Sequence, residues 1–304
     1  MYRIAFIIPW IGKLPHHFPI WLKTCSFNPT VDFLIFTNDT TEYPYPSNVK
    51  VHHLEFDELQ ARFQKNFPFT ICLDKPYKLC DFKPAYGEVF SDYLTDYDFW
   101  GHCDVDILWG NIRKFLTCDV LKSNNRIYSH GHCCLYRNDK DINAWYRTLP
   151  QGSYQNYRDV FTSNNSCCFD EWGAHCGGGM SLICHYNGIL HYNEPDFADL
   201  DIKKGYFSFI SHKKHTKNRN LYFSCSPDGL FITENNCPIE EVLYVHFQKR
   251  TLKIDSKIGD RFYLSPPLYV TSYPPTHPRS LEEISYEVEW IIKKVISKIK
   301  KYIC

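Results

Sequence analysis

The sequence predicts an α/β domain whose central sheet is mostly parallel and flanked by helices. Two observations carry that prediction. Short, continuous apolar runs recur through the first hundred residues, and segments of helical pattern separate them. Continuous runs suit strands buried on both faces, as parallel strands are, whereas half-solvated strands alternate. Strand and helix in alternation build such a sheet.

Residues 3–9 form the first run. Residues 10–19 read as a loop broken by Gly12, Pro15 and Pro19, and 21–27 as a short helix. Residues 31–37 make a second strand closed by Asn38-Asp39, and 49–54 a third after the proline-rich stretch 43–46. Residues 57–67 are helical in pattern, because Leu59, Phe63 and Phe67 recur every fourth position and share a face. A helix is expected over 86–94. Residues 99–103 then form a strand that runs into Asp104-Val105-Asp106.

Beyond Asp106 the pattern changes. Short strands are expected at 126–129 and 133–137, a helix at 139–149, and a polar loop or helix at 151–165. Asp170-Glu171 precede the run Gly177-Gly178-Gly179. Residues 221–225 and 230–233 fit a hairpin around Pro227-Asp228-Gly229, and 241–247 a last strand carrying His246 near its end. There is no internal repeat.

The bulk numbers bound the class. A chain of 304 residues with 44% hydrophobic and 22% charged residues can bury a substantial core and is not disordered in composition. Thirty-four basic residues balance 34 acidic ones, so no global basic face points to nucleic acid. Aromatics reach 17%, which fits sugar-stacking sites and also an aromatic core. The first apolar run is too short for a signal peptide, and no run is long enough to span a membrane. The fourteen cysteines are therefore expected to be reduced and mostly buried in a cytoplasmic protein. A zinc site at His130, His132 and Cys133 is a sharper alternative, but its ligands lack paired spacing.

The tail differs from the rest. Residues 290–304 hold Lys293, Lys294, Lys298, Lys300 and Lys301 and no acid, while isoleucines and Val295 recur at helical spacing. That is the pattern of a peripheral anchor on an inner-leaflet membrane surface. The alternative is a terminal helix docking its apolar face on the domain.

Two carboxylates at a strand end suit a divalent cation, since Mn²⁺ and Mg²⁺ take oxygen ligands. Such an ion bridging a diphosphate stabilises a nucleoside-diphosphate leaving group. A solvated turn after an edge strand is the plainer reading of the same residues.

The run Lys75-Pro76-Tyr77-Lys78-Leu79-Cys80-Asp81-Phe82-Lys83-Pro84-Ala85-Tyr86-Gly87, followed by Tyr97-Asp98-Phe99-Trp100-Gly101-His102-Cys103-Asp104-Val105-Asp106, resembles a family of bacterial glycosyltransferases from polysaccharide gene clusters. The opening Ile8-Pro9-Trp10-Ile11-Gly12-Lys13-Leu14-Pro15 and Phe169-Asp170-Glu171 resemble it as well. The resemblance implies a GT-A-like nucleotide-diphospho-sugar transferase fold. It would comprise a nucleotide-sugar-binding half over 1–120, an acceptor-binding and catalytic half over 121–275, and the basic amphipathic helix over 276–304.

The same resemblance implies Mn²⁺ or Mg²⁺ held by Asp104, Asp106 and His246, and a nucleotide-sugar donor, UDP-sugars favoured. Donor contacts are then expected from Asp81, Lys83, Asp104 and Lys249, and by strand-end position from Pro9, Trp10, Thr37, Asn38 and Asp39. Asp170 or Glu171 is expected as the catalytic base toward a hydroxyl of a glycan or lipid-linked acceptor. Two alternatives remain. A nucleotidyl or phosphoryl transferase normally carries a Gly-rich basic loop after the first strand, and Trp10-Ile11-Gly12-Lys13 matches that poorly. A non-catalytic carbohydrate-binding protein explains the aromatics and leaves the paired acids unexplained.

Overall fold

The computed structural model describes residues 1–148, 156–171, 179–210, 220–248, 250–275 and 280–303, without the side chains of 280 and 297–303. Its strands in chain order are β1 (Ile4–Trp10), β2 (Val31–Thr37), β3 (Val49–His53), β4 (Phe99–Cys103), β5 (Ile107–Trp109), β6 (Arg126–His130), β7 (Cys133–Arg137) and β8 (His191–Tyr192). They continue as β9 (Ala198–Asp199), β10 (Leu221–Ser226), β11 (Gly229–Glu234), β12 (Cys237–Val242), β13 (Tyr244–His246), β14 (Lys253–Ile254), β15 (Phe262–Ser265) and β16 (Tyr269–Thr271). The chain divides into two units. One comprises Met1–Phe18, Asn28–Asp104 and Leu116–Glu194, the other Pro19–Phe27, Val105–Phe115 and Pro195–Cys304.

The first unit is α/β with a mostly parallel sheet, ordered β3-β2-β1-β4-β7-β6-β8. β3, β2, β1 and β4 run parallel to one another, as the apolar runs predict. β7 then pairs antiparallel with both β4 and β6. One face of the sheet packs on the helix Phe56–Gln64 through Leu59 and Phe63, joined by Phe82, Phe90 and Phe161. Aromatic packing in this core accounts for much of the aromatic excess, with Phe82 stacked on Phe161 at 4.1 Å between centroids.

The expected helix over 86–94 is shorter than its pattern, running Tyr86–Val89 and giving way to a 3₁₀ turn, Ser91–Tyr93. Helical residues Leu79–Phe82 and Tyr86–Val89 are separated by a 3₁₀ turn, Lys83–Ala85, containing Pro84. Proline has no N–H for an α-helical bond and forces this break. The segment 139–149 likewise shortens to Lys140–Asn143 and a 3₁₀ turn, Trp145–Arg147.

The second unit holds a sheet ordered β12-β11-β10-β15-β16-β14 and a small one ordered β5-β13-β9. The expected hairpin is present as β10 and β11, paired from Leu221↔Glu234 to Ser226↔Gly229. The single strand expected over 241–247 is two strands, β12 and β13, in different sheets. Leu230, Ile232, Phe223 and Phe262 lie in the unit's apolar core. The terminal helix spans Ser280–Ile303 and begins ten residues before the basic stretch. No helix among the described residues is long and apolar enough to cross a membrane. Most of the described cysteines are buried.

Candidate functional site

The Asp-Val-Asp motif sits where the chain passes from one unit to the other: Asp104 closes a segment of the first and Val105 opens a segment of the second. Each acid has its own set of partners.

In the first unit the partner is Lys83. Its ammonium is buried and donates to Asp104 Oδ1 at 2.9 Å and to the carbonyl of Gly131 at 2.6 Å, with Asp170 Oδ2 at 3.4 Å. Burial alone would push Lys83 toward neutrality; Asp104 and Asp170 outweigh it and hold the ammonium charged, well above its usual range. Asp170 is also buried, and its carboxyl is raised to about 6 by burial, opposed by Lys83 and reinforced by Glu171 and Asp104. Half-buried Glu171 accepts from the Gly131 N–H at 3.1 Å.

The chain behind these acids is pinned. Arg126 donates to the Asp170 carbonyl at 3.3 Å, and Met180 N–H donates to the Phe169 carbonyl at 2.9 Å. Gly179, at φ +116°, lies so close that a Cβ there would meet the Glu171 carbonyl at 2.0 Å. Glycine is required at that position on both counts. Gly177 and Gly178 fall outside the described residues.

In the second unit the small sheet aligns three side chains. His246 on β13 pairs with Ile107 of β5 on one side and with Asp199 of β9 on the other. Asp106 immediately precedes β5, and its carbonyl accepts from Phe247 N–H at 3.0 Å. His246 Nδ1 is 2.8 Å from Asp199 Oδ1, and its Nε2 is 3.6 Å from Asp106 Oδ1. Gln248 Nε2 donates to the same Asp199 oxygen at 2.7 Å. A carboxylate only accepts, so Nδ1 carries a hydrogen. Burial would lower the His246 pKa; the bonds to Asp106 and Asp199 overcome it and raise it to about 9.

Asp106 and His246 fit a divalent cation. The 3.6 Å between their ligand atoms is less than twice a metal–oxygen bond of about 2.1 Å. Asp199 on Nδ1 is the outer contact that fixes a ligating histidine's tautomer and aim.

The other expected residues have assignable places. Asp81 is not at a ligand-accessible position: it is fully buried, pairs with Lys78 at 2.8 Å and accepts from the N–H groups of Cys167 and Phe169. The reason is local, because the short helix Leu79–Phe82 turns this acid inward to hold the 167–169 segment. Pro9 and Trp10 end β1, and Trp10 Nε1 donates to the Lys13 carbonyl at 3.2 Å. Thr37 is fully buried at the end of β2, its hydroxyl accepting from Asp39 N–H at 3.1 Å. Asn38 Oδ1 accepts from Gly12 N–H at 2.8 Å, and Asp39 accepts from Leu14 N–H at 2.8 Å. Asn38 and Asp39 thereby tie the loop after β1 to the end of β2. Lys249 lies outside the described residues. His130 and His132 stack on each other at 5.1 Å while Cys133 is fully buried on β7.

Sequence reasoning missed Asp199, Gln248 and the role of Gly131. Asp199 sits on a two-residue strand with no periodic signal, and only its register opposite His246 reveals it.

The chain belongs to a protein family described as "Family of unknown function (DUF6625)", whose model matches residues 6–272. No curated protein matches the sequence. Among solved structures, the chain is similar to the galactosyltransferase LgtC in complex with donor and acceptor sugar analogues, at 10% identity and a TM-score of 0.38, over 80% of this chain and 86% of that one. It is also similar to mouse xyloside xylosyltransferase 1 in its apo form, at 10% identity and a TM-score of 0.41, over 82% of this chain and 98% of that one.

Proposed function

We propose that this chain is a metal-dependent glycosyltransferase of GT-A-like fold. It moves a sugar, a hexose by preference, from a nucleotide-sugar donor, UDP-linked by preference, to a hydroxyl of a glycan or lipid-linked acceptor in bacterial surface-polysaccharide synthesis. The observation that carries this reading is the Asp199–His246–Asp106 line, an oriented imidazole facing a carboxylate at the motif the sequence singles out. The sequence supplies Asp104 as the further acid of that motif.

Bound Mn²⁺ or Mg²⁺ supplies Lewis-acid stabilisation of the departing diphosphate. The protein's share is positional. Asp106 and His246 hold the cation, and Asp199 keeps Nε2 of His246 aimed at it. Lys83 keeps Asp104 in place and its charge compensated. Of the two adjacent acids, Asp170 is buried against Lys83, whereas Glu171 is partly exposed. Glu171 is therefore the group that takes the acceptor hydroxyl's proton, and Asp170 positions Lys83. Pro9, Trp10 and Asn38 at the ends of β1 and β2 offer the donor's base and ribose a surface, and Lys249 offers the diphosphate a charge.

A donor screen that measures released nucleoside diphosphate, with and without Mn²⁺ and with mono- and disaccharide acceptors, tests this. The reading requires release from at least one nucleotide-sugar that needs the metal. Binding of sugars with no release from any donor would favour a carbohydrate-binding protein instead.

A further inference from the structure

The terminal helix Ser280–Ile303 is docked near its start, and its described side chains from 291 to 296 are exposed. Gly205 approaches it so closely that a Cβ there would lie 2.2 Å from the Glu283 carbonyl. Gly205 N–H donates to Glu287 Oε1 at 3.1 Å, and the Tyr286 hydroxyl donates to the Ile202 carbonyl at 3.2 Å. Arg250 lies over the Tyr286 ring at 5.3 Å. These contacts are all within the second unit.

Ile284, Val288, Ile291, Ile292, Val295 and Ile296 follow the spacing of one helical face and are between 47% and 57% exposed. Charge is graded along the same helix. Residues 281–289 carry Glu282, Glu283, Glu287 and Glu289 and no lysine; residues 290–304 carry five lysines and no acid. Glu283 is buried, Glu287 is bonded to Gly205, and Glu289 faces Lys293 at 3.9 Å.

We infer that this helix seats the protein on an anionic lipid surface, lying in the plane of the headgroups with its apolar stripe buried and its lysines among the phosphates. The charge distribution selects this occupant. A second copy packed parallel would set lysines against lysines. Packed antiparallel it would draw on the glutamates of the first turns, of which Glu283 is buried and Glu287 accepts from Gly205 N–H. No helix among the described residues is long and apolar enough to cross the bilayer. An amphipathic helix with a basic polar flank is the arrangement that lies on a membrane instead.

Vesicle flotation of the full chain tests the inference, using phosphatidylcholine alone or mixed with phosphatidylglycerol. The wild type is expected to float with the anionic vesicles at low salt, to stay behind with neutral ones, and to be released at high salt. Ile291→Glu/Val295→Glu and Lys293→Glu/Lys294→Glu are each expected to lower binding roughly tenfold or more. Both variants should keep the wild-type melting temperature and metal-linked nucleotide binding, so a failure here is distinct from a failure of the transferase reading. Flotation absent in the wild type, or unchanged in both variants, overturns the inference. So does a dimer in light scattering that Ile291→Glu/Val295→Glu dissociates while no form floats.

Discussion

Asp199 holds Nδ1 of His246 at 2.8 Å, and in doing so leaves the opposite ring nitrogen facing Asp106. The relationship is built into register, since His246 and Asp199 are direct cross-strand partners of β13 and β9. Asp199→Ala should therefore lower Mn²⁺ affinity by about 10- to 100-fold without unfolding the chain. Isothermal titration with Mn²⁺, beside a circular dichroism melt, measures this. An unchanged dissociation constant would show that His246 does not depend on Asp199 for its aim.

Lys83 is the only counter-charge the structure sets between Asp104 and Asp170 among their described ion pairs. Lys83→Met removes it and leaves a buried carboxylate uncompensated. That should cost about 3–5 kcal/mol in urea denaturation at neutral pH. Lys83→Met/Asp170→Asn should recover part of the loss, because the second change removes the stranded charge. Two losses that simply add would contradict the coupling.

Asp170 gives a pH dependence with a definite sign. Its carboxyl rises from 3.8 to about 6 on folding, so the folded chain binds a proton more tightly than the unfolded one. The stabilisation is fully present below pH 3.8 and is lost as pH rises through about 6. Asp170→Asn has no such proton. Relative to the wild type it should gain stability between pH 4 and pH 7, by on the order of 2–3 kcal/mol. Urea midpoints at the two pH values decide it, and a constant difference contradicts the shift.

Asp81 is expected to act on stability and not on the donor. Asp81→Asn strands the Lys78 ammonium, whose partners are Asp81 and the Val160 and Asn165 carbonyls. It should cost about 3–5 kcal/mol. At a temperature where the variant remains folded, nucleotide affinity should match the wild type. A selective loss of nucleotide binding with stability unchanged would restore Asp81 to the donor site.

Much of the first unit was legible in the sequence because its strands are buried on both faces and so read as unbroken apolar runs. β1, β2 and β4 fall within a residue or so of the expected limits. Helix limits were less legible: the 3₁₀ turn at Lys83–Ala85 depends on Pro84, and the helix expected over 139–149 is confined to Lys140–Asn143. In the second unit only the β10–β11 hairpin carried a turn signal. At the candidate site, Asp104, Asp106 and His246 stood out by chemistry and strand-end position. Asp199 did not, because its partner lies 47 residues away in sequence and only the pairing of two short strands brings them together. Asp81 looked like a ligand residue because a sequence does not reveal which way a one-turn helix faces.

Thermal shift with UDP, GDP and CMP, each with and without Mn²⁺, tests the central claim most directly when the wild type and Asp106→Ala are run side by side. At least one nucleotide should stabilise the wild type only when Mn²⁺ is present, and Asp106→Ala should abolish that dependence. No metal-linked stabilisation by any nucleotide, or the same response from Asp106→Ala, would contradict the assignment of a metal-held donor to this chain.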